Sequence, residues 1–146
     1  MIGRGFFLFI VSRVLITILY PTGFIISCLR VFTRSGFKAL DNYLFNCALA
    51  DDQHGNAYLA ELFNDTLIKK DAYIKYPFGN TDVTISFIIA VNQKVNALNK
   101  FGLLLYRLLE WIDKGHAEKS IQAERNKAAN TISKINLLCQ KRENII

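Results

Sequence analysis

From Gly5 to Phe32 the chain is almost continuously apolar, GFFLFIVSRVLITILYPTGFIISCLRVF, with Arg13 and Arg30 its only charges. Residues 14–29, between those arginines, hold no charged side chain. As a helix that stretch covers about 24 Å at ~1.5 Å per residue, slightly less than a hydrocarbon slab of about 30 Å. Arginines at both ends can snorkel to make up the difference. The pattern predicts an N-terminal membrane helix. Pro21 and Gly23 fall midway, and they predict either a kink in one span or the tip of a re-entrant hairpin with arms 5–20 and 24–33. One kinked span is preferred, because it satisfies every backbone group at least cost. Arg13 interrupts the run and no A-x-A-like site follows it, so the segment reads as a retained anchor rather than a cleaved signal.

Beyond the anchor the period changes to that of amphipathic helices. Residues 37–52 place Phe37, Leu40, Leu44, Cys47 and Ala48 on one face, suited to lying on the membrane surface. Gly55 is expected to break the pattern, giving a two-helix hairpin through 51–56. Residues 56–70 resume it with Leu59, Leu62, Phe63 and Leu67, closing on Lys69-Lys70. Residues 72–81 form a loop with Tyr73, Tyr76, Pro77, Gly79 and Asn80. Thr81 or Asp82 then caps a helix over 83–91; the β-branched content there also suits a strand, but none is visible to pair with it. Residues 99–114 predict a strong amphipathic helix with Phe101, Leu105, Leu108, Leu109 and Ile112 facing inward, Trp111 at the flank and Gly115 as its stop. From His116 a more polar helix carries Ile121, Ala128, Ile132, Ile135 and Cys139 at heptad-like spacing.

Composition sharpens this picture. Hydrophobic residues make up 51% of the 146, and the first 40 contain five basic residues and no acid, out of 18 basic and 12 acidic overall. A basic rim around an apolar segment suits anionic lipid head groups, and Arg13, Arg30, Arg34 and Lys38 are the expected membrane-interface residues. Nucleic acid is not an expected partner, because the cations are interleaved with Phe and Ile rather than clustered as a phosphate-binding arm requires. Cys28, Cys47 and Cys139 are odd in number and far apart, so neither a disulfide framework nor a zinc site follows.

Chemistry-bearing patterns are few. No Walker loop, G-x-G-x-x-G, G-x-S-x-G or H-E-x-x-H is present. Asp51-Asp52-Gln53-His54 and Asp113-Lys114-Gly115-His116 each set an Asp three residues before one of the two histidines. Such side chains converge on one helical turn, so Asp51, Asp52, His54, Asp113 and His116 form a candidate divalent-metal site able to activate water for ester hydrolysis. The simpler reading is that Asp and His gather at helix ends for turn and dipole reasons. Gly79, Asn80, Thr81, Asp82, Thr84 and Ser86 form a polar turn before a helix, a candidate cradle for an anion or lipid head group; an ordinary capped turn accounts for the same residues. No resident cofactor is expected outside the metal alternative.

Three segments together carry a resemblance: Asp52-Gln53-x-Gly55-Asn56, Gly79-Asn80-x-Asp82-x-Thr84-Ile85-Ser86, and Trp111-Ile112-Asp113-x-x-His116-x-Glu118-Lys119-Ser120. In these the chain resembles a group of small proteins of tailed bacteriophages and prophages that also begin with a hydrophobic segment. The resemblance spans residues 14–120 and leaves the tail from Ile121 outside. Val83 stands where that group has a second acidic residue, which argues against a catalytic carboxylate pair at Asp82. The resemblance implies a phage or prophage setting in a bacterium and brings no mechanism with it.

The expected protein is all-α: a membrane anchor over 1–34, a small bundle of amphipathic helices over 35–120, and a polar C-terminal helix over 121–146. The expected function is non-catalytic, a membrane-anchored protein acting on the host envelope through membrane lipid and a bacterial membrane protein, in superinfection exclusion or as a lysis accessory. A metal-dependent membrane-surface hydrolase is the alternative and a virion component the third reading. The expected location is the bacterial inner membrane with the helical domain on the cytoplasmic side, since more cations follow the span than precede it. A second copy of the chain is a further candidate partner.

Overall fold

A computed structural model describes residues 3–143, with side chains as far as residue 136; the side chain of Cys139 lies outside the described residues. The fold is all-α. Among the described residues the elements are α1 (Arg4–Tyr58), α2 (Ala60–Thr66), α3 (Ile85–Lys94), α4 (Lys100–Ile112) and α5 (His116–Glu143). The chain forms two compact units, Met1–Ala48 and Leu49–Ile146, so residues 35–48 go with the apolar segment.

In the first unit α1 stays helical through Pro21 and Gly23, so no hairpin tip forms there. Its only non-helical backbone angles are at Gly36, with φ 75° and ψ −171°, a region essentially reserved for glycine. The chain reverses there. The rings of Phe24 and Tyr43 lie 6.4 Å apart, whereas a straight helix would separate them by about 28 Å. Arm 1 (residues 4–35) thus meets arm 2 (residues 37–58) along Phe24, Ser27, Cys28 and Val31 on one side and Leu40, Tyr43 and Cys47 on the other, all half-buried. The reversal uses Gly36, whose positive φ a side chain would strain.

The rest of arm 1 stays uncovered. Large apolar side chains from Phe6 to Leu29 remain exposed around most of its circumference, and the helix is long and apolar enough to cross a membrane. Its hydroxyls turn inward on the helix itself: Ser12 donates to the Phe9 carbonyl at 2.8 Å, Thr17 to Arg13 at 2.8 Å, Thr22 to Leu19 at 3.3 Å and Thr33 to Arg30 at 3.2 Å. Such bonding hides polar groups that would otherwise need water.

The second unit is built around Leu67, Ile68, Phe78, Ile88, Ile89 and Leu98. Arm 2 does not break at Gly55, as the sequence suggested; the interruption falls at Leu59. Gly55 is instead a packing residue, since a Cβ there would sit 2.9 Å from Ile85 Cδ1. A single antiparallel bridge, Ile68 to Leu98, ties the end of α2 to the start of α4, with Lys69 N–H on the Ala97 carbonyl at 2.8 Å and Asn99 N–H on Leu67 at 2.9 Å. The Asn99 side chain caps α4 by accepting from Phe101 and Gly102. Residues 85–94 are helix, not strand, and the cap is Thr84 rather than Thr81 or Asp82.

Helix α4 divides its apolar residues differently from expectation. Leu103, Leu105, Tyr106 and Leu109 pack on the core, while Phe101, Leu108 and Ile112 are exposed. Gly102 forces this rotation, because it is the point where α4 touches the chain before it. A Cβ at Gly102 would lie 2.4 Å from the Leu67 carbonyl oxygen. In α5, Ile121 is buried, but Ile132 and Ile135 are exposed, so the heptad-like series does not form one packed seam.

Gly102→Ala therefore overlaps backbone rather than a flexible side chain. The expected loss is about 1–3 kcal/mol, the usual cost of overpacking. Chemical denaturation of the full chain in detergent reads it; an unchanged midpoint would contradict the contact.

Candidate functional site

Two of the three segments singled out in the sequence, 52–56 and 79–86, meet at one place, the loop between α2 and α3. Residues 67–84 bring buried backbone into the domain without a strand to pair it. Three asparagines, one each on α1, α2 and α3, fill that role. Asn64 accepts from Phe78 N–H at 2.8 Å and donates to the Phe78 carbonyl at 3.1 Å. Asn92 accepts from Tyr76 N–H at 2.9 Å and donates to the Tyr76 carbonyl at 2.7 Å and to Ile88 at 3.0 Å. Asn56 accepts from Gly79 N–H at 3.0 Å and donates to the carbonyls of Asn80 at 2.8 Å and Val83 at 2.9 Å. A carboxamide presents the same donor and acceptor as a peptide group, so each side chain pairs the loop as a neighbouring strand would. Asn56 and Asn92 are 0% exposed, a burial that only full satisfaction makes affordable.

The turn itself follows from local chemistry. Gly79 has φ 119°, which a side chain would strain, and a Cβ there would come 3.2 Å from that of Ala60. The Asn80 side chain accepts from Asp82 N–H at 2.9 Å. Gln53 donates to the Asp82 carbonyl at 3.1 Å, and Lys127 of α5 reaches the same oxygen.

At the start of α3 the donors are taken by the protein. Asp52 Oδ1 accepts from Ile85 N–H at 2.9 Å and Oδ2 from the Ser86 hydroxyl at 2.7 Å, while Thr84 Oγ1 accepts from Phe87 N–H at 3.0 Å. Asp52 thus supplies the negative charge that the positive end of α3 favours. Of the expected anion cradle, Gly79, Asn80, Asp82, Thr84 and Ser86 are joined in this internal network, with Thr81 exposed on the turn beside them.

The second Asp–His pair forms a separate cluster at the α4–α5 corner. Glu110 caps α5, accepting from Gly115 N–H at 2.9 Å and Ala117 N–H at 2.8 Å. Asp113 pairs with Lys119 and faces His116 Nδ1 at 3.3 Å. The amides of Ala117 and then Gly115 hold the Glu110 carboxyl below its usual range; Lys119 and then His116 do the same for Asp113, and Lys94 for Glu118. Asp51 and His54 are exposed on α1, where the His54 ring stands edge-on to Tyr58 at 4.1 Å, and Asp52 turns to α3. Among the described residues no three His, Cys, Asp or Glu side chains are grouped to hold a metal. The five metal candidates therefore stand as two sets with structural partners of their own.

The expected interface cations lie in the first unit. Arg30 and Arg34 precede the Gly36 reversal, Lys38 follows it, and Arg13 lies over the Phe9 ring at 5.3 Å. The sequence reading missed the role of Asn56, Asn64 and Asn92. The available signal was a Gly- and Pro-containing loop with no strand beside it, flanked by helices each carrying an Asn at an apolar position.

No protein-family model, curated protein or solved structure matches the chain.

Asn56→Ala removes three hydrogen bonds and leaves loop groups unpaired, an expected loss of about 3 kcal/mol or more at ~1–3 per orphaned group. Asn56→Asp keeps the acceptor for Gly79 but sets a carboxylate against two carbonyls. It should destabilise at neutral pH and recover partly in mild acid, when the protonated group can donate again. Equal stability of Asn56→Asp and the parent at neutral pH would contradict the network.

The three depressed carboxyls give a pH prediction of definite sign. Their stabilisation is present above the ordinary carboxyl range and lost as pH falls through and below it. Glu110→Gln should lower the melting temperature at neutral pH and shrink the drop seen on acidification, both read by circular dichroism.

Proposed function

We propose that the chain is a phage- or prophage-encoded, membrane-anchored helical protein that acts on the host envelope by binding a membrane partner, in superinfection exclusion or as a lysis accessory, without catalysis of its own. The observation that carries the anchor is the sheath of exposed large apolar side chains on arm 1. Water would penalise that surface by about 25 cal/mol for each Å² left exposed, whereas lipid accepts it. The self-satisfied hydroxyls of Ser12, Thr17, Thr22 and Thr33 support the same environment. The phage setting is supported by the three-segment resemblance. Binding rather than catalysis is supported by the polar side chains of those segments, which are largely engaged in holding the loop and the α4–α5 corner.

The proposed location is the bacterial inner membrane. Arg30, Arg34 and Lys38 put that end of arm 1 at the cytoplasmic face under the positive-inside bias. Arm 2 covers arm 1 through apolar contacts, and lipid tails can replace those contacts without loss. Asp41, Asn42 and Asn46 make arm 2 a poor second span. Arm 2 accordingly leaves for the surface, and the helical domain stays on the cytoplasmic side.

Carbonate washing and an impermeant maleimide test both parts. The expected result is retention in the membrane fraction, with Cys139 labelled only after lysis. Labelling in intact cells with a permeabilised outer membrane would place the domain in the periplasm and mean that arm 2 returns through the bilayer. Release by carbonate would overturn the anchor itself.

A further inference from the structure

Helix α4 turns a second apolar surface outward. Phe101, Leu104, Leu108, Trp111 and Ile112 recur at spacings of three and four, so they form one stripe, opposite the side that packs on the core. Trp111 is 82% exposed and Phe101 69%, values unusual for the largest apolar residues of a folded domain. Lys100 and Arg107 are seven residues apart, two helical turns, and therefore stand on one edge of the stripe. They line a shallow hollow together with Phe101, Leu103 and Leu104. The acid of this helix faces elsewhere: Glu110 is turned onto the start of α5.

We propose that α4 docks flat on the anionic lipid surface, with its apolar stripe at the boundary between head groups and acyl chains and Lys100 and Arg107 against lipid phosphates. This rests on the membrane reading above and adds a second, independent contact to it. Charge decides the occupant. The outward face carries cations and no free acid, so a second copy meeting it across a two-fold axis would set like charges together, whereas an anionic bilayer complements it. Trp111 at the C-terminal end of the stripe is the residue type that favours the head-group level. The anchor keeps α4 at high effective concentration near lipid, so a 13-residue helix that would bind weakly as a free peptide suffices.

Trp111 is the only tryptophan in the chain, so its fluorescence reports on this face alone. The full chain is reconstituted into phosphatidylcholine vesicles with and without phosphatidylglycerol, and flotation establishes that it is vesicle-bound. With phosphatidylglycerol present, Trp111 emission should shift to the blue, resist aqueous acrylamide and be quenched by lipid carrying a shallow nitroxide. Lys100→Gln and Arg107→Gln should each lower the docked-to-undocked ratio about fivefold, with helix content unchanged. Acrylamide access in both vesicle types, with the protein still floating, overturns the docking and leaves the anchor intact. Protection that rises with protein density regardless of lipid charge assigns the face to a second copy and also overturns it. Failure to float removes the anchor reading and this proposal with it.

Discussion

Side-chain amides standing in for a strand are the constraint on which the helical domain depends. Phe78 can enter the core only if the peptide groups around it are paired, and each buried peptide group left unpaired costs about 1–3 kcal/mol. Asn64 meets both groups of Phe78 itself, Asn92 meets both groups of Tyr76, and Asn56 takes the Gly79 N–H together with the Asn80 and Val83 carbonyls. The three amides come from three different helices, so loop and helices hold one another in register. The Ile68–Leu98 bridge closes the other end of the same core.

This explains how much of the molecule was legible in its sequence. Period located the helices well, because amphipathic spacing acts within a few positions, whereas the caps were less plain: that of α3 is Thr84 rather than Thr81 or Asp82, and Asn99 caps α4 rather than lying within it. The apolar run from Gly5 to Phe32 was equally plain. Glycine was less readable, because its meaning depends on what stands across from it. Gly55 and Gly102 serve close approach to Ile85 and Leu67, Gly79 serves a strained turn, and Gly36 rather than Gly23 reverses the chain. The asparagines were opaque for the same reason. Asn56 and Gly79 are 23 residues apart, and nothing in either segment alone announces the bond between them. Residues such as Asp52 and Asp113 stood out as chemistry, but the partners that occupy them are a helix end and a lysine.

With those polar groups committed inside, three of the exposed surfaces combine apolar side chains with neighbouring cations. Arm 1 is apolar on nearly its whole circumference, the reversal is flanked by Arg30, Arg34 and Lys38, and α4 shows a stripe edged by Lys100 and Arg107. Each combination fits the same solvent boundary, where acyl chains give way to phosphates.

The two apolar surfaces differ in what supports them, and that difference bears on their roles. Arm 1 bonds its backbone within the helix, apart from the amide missing at Pro21, and folds the hydroxyls of Ser12, Thr17, Thr22 and Thr33 onto it, so it loses little on leaving water. Helix α4 cannot do so, because its other face packs on a core stitched by buried asparagines and its ends are capped by Asn99 and tied to Glu110. Full insertion of α4 would have to pull it off that core. The proposed deep anchor in arm 1 and shallow contact at α4 follow this difference, two depths set by whether the polar groups behind each surface are bonded to the same helix or to the rest of the fold.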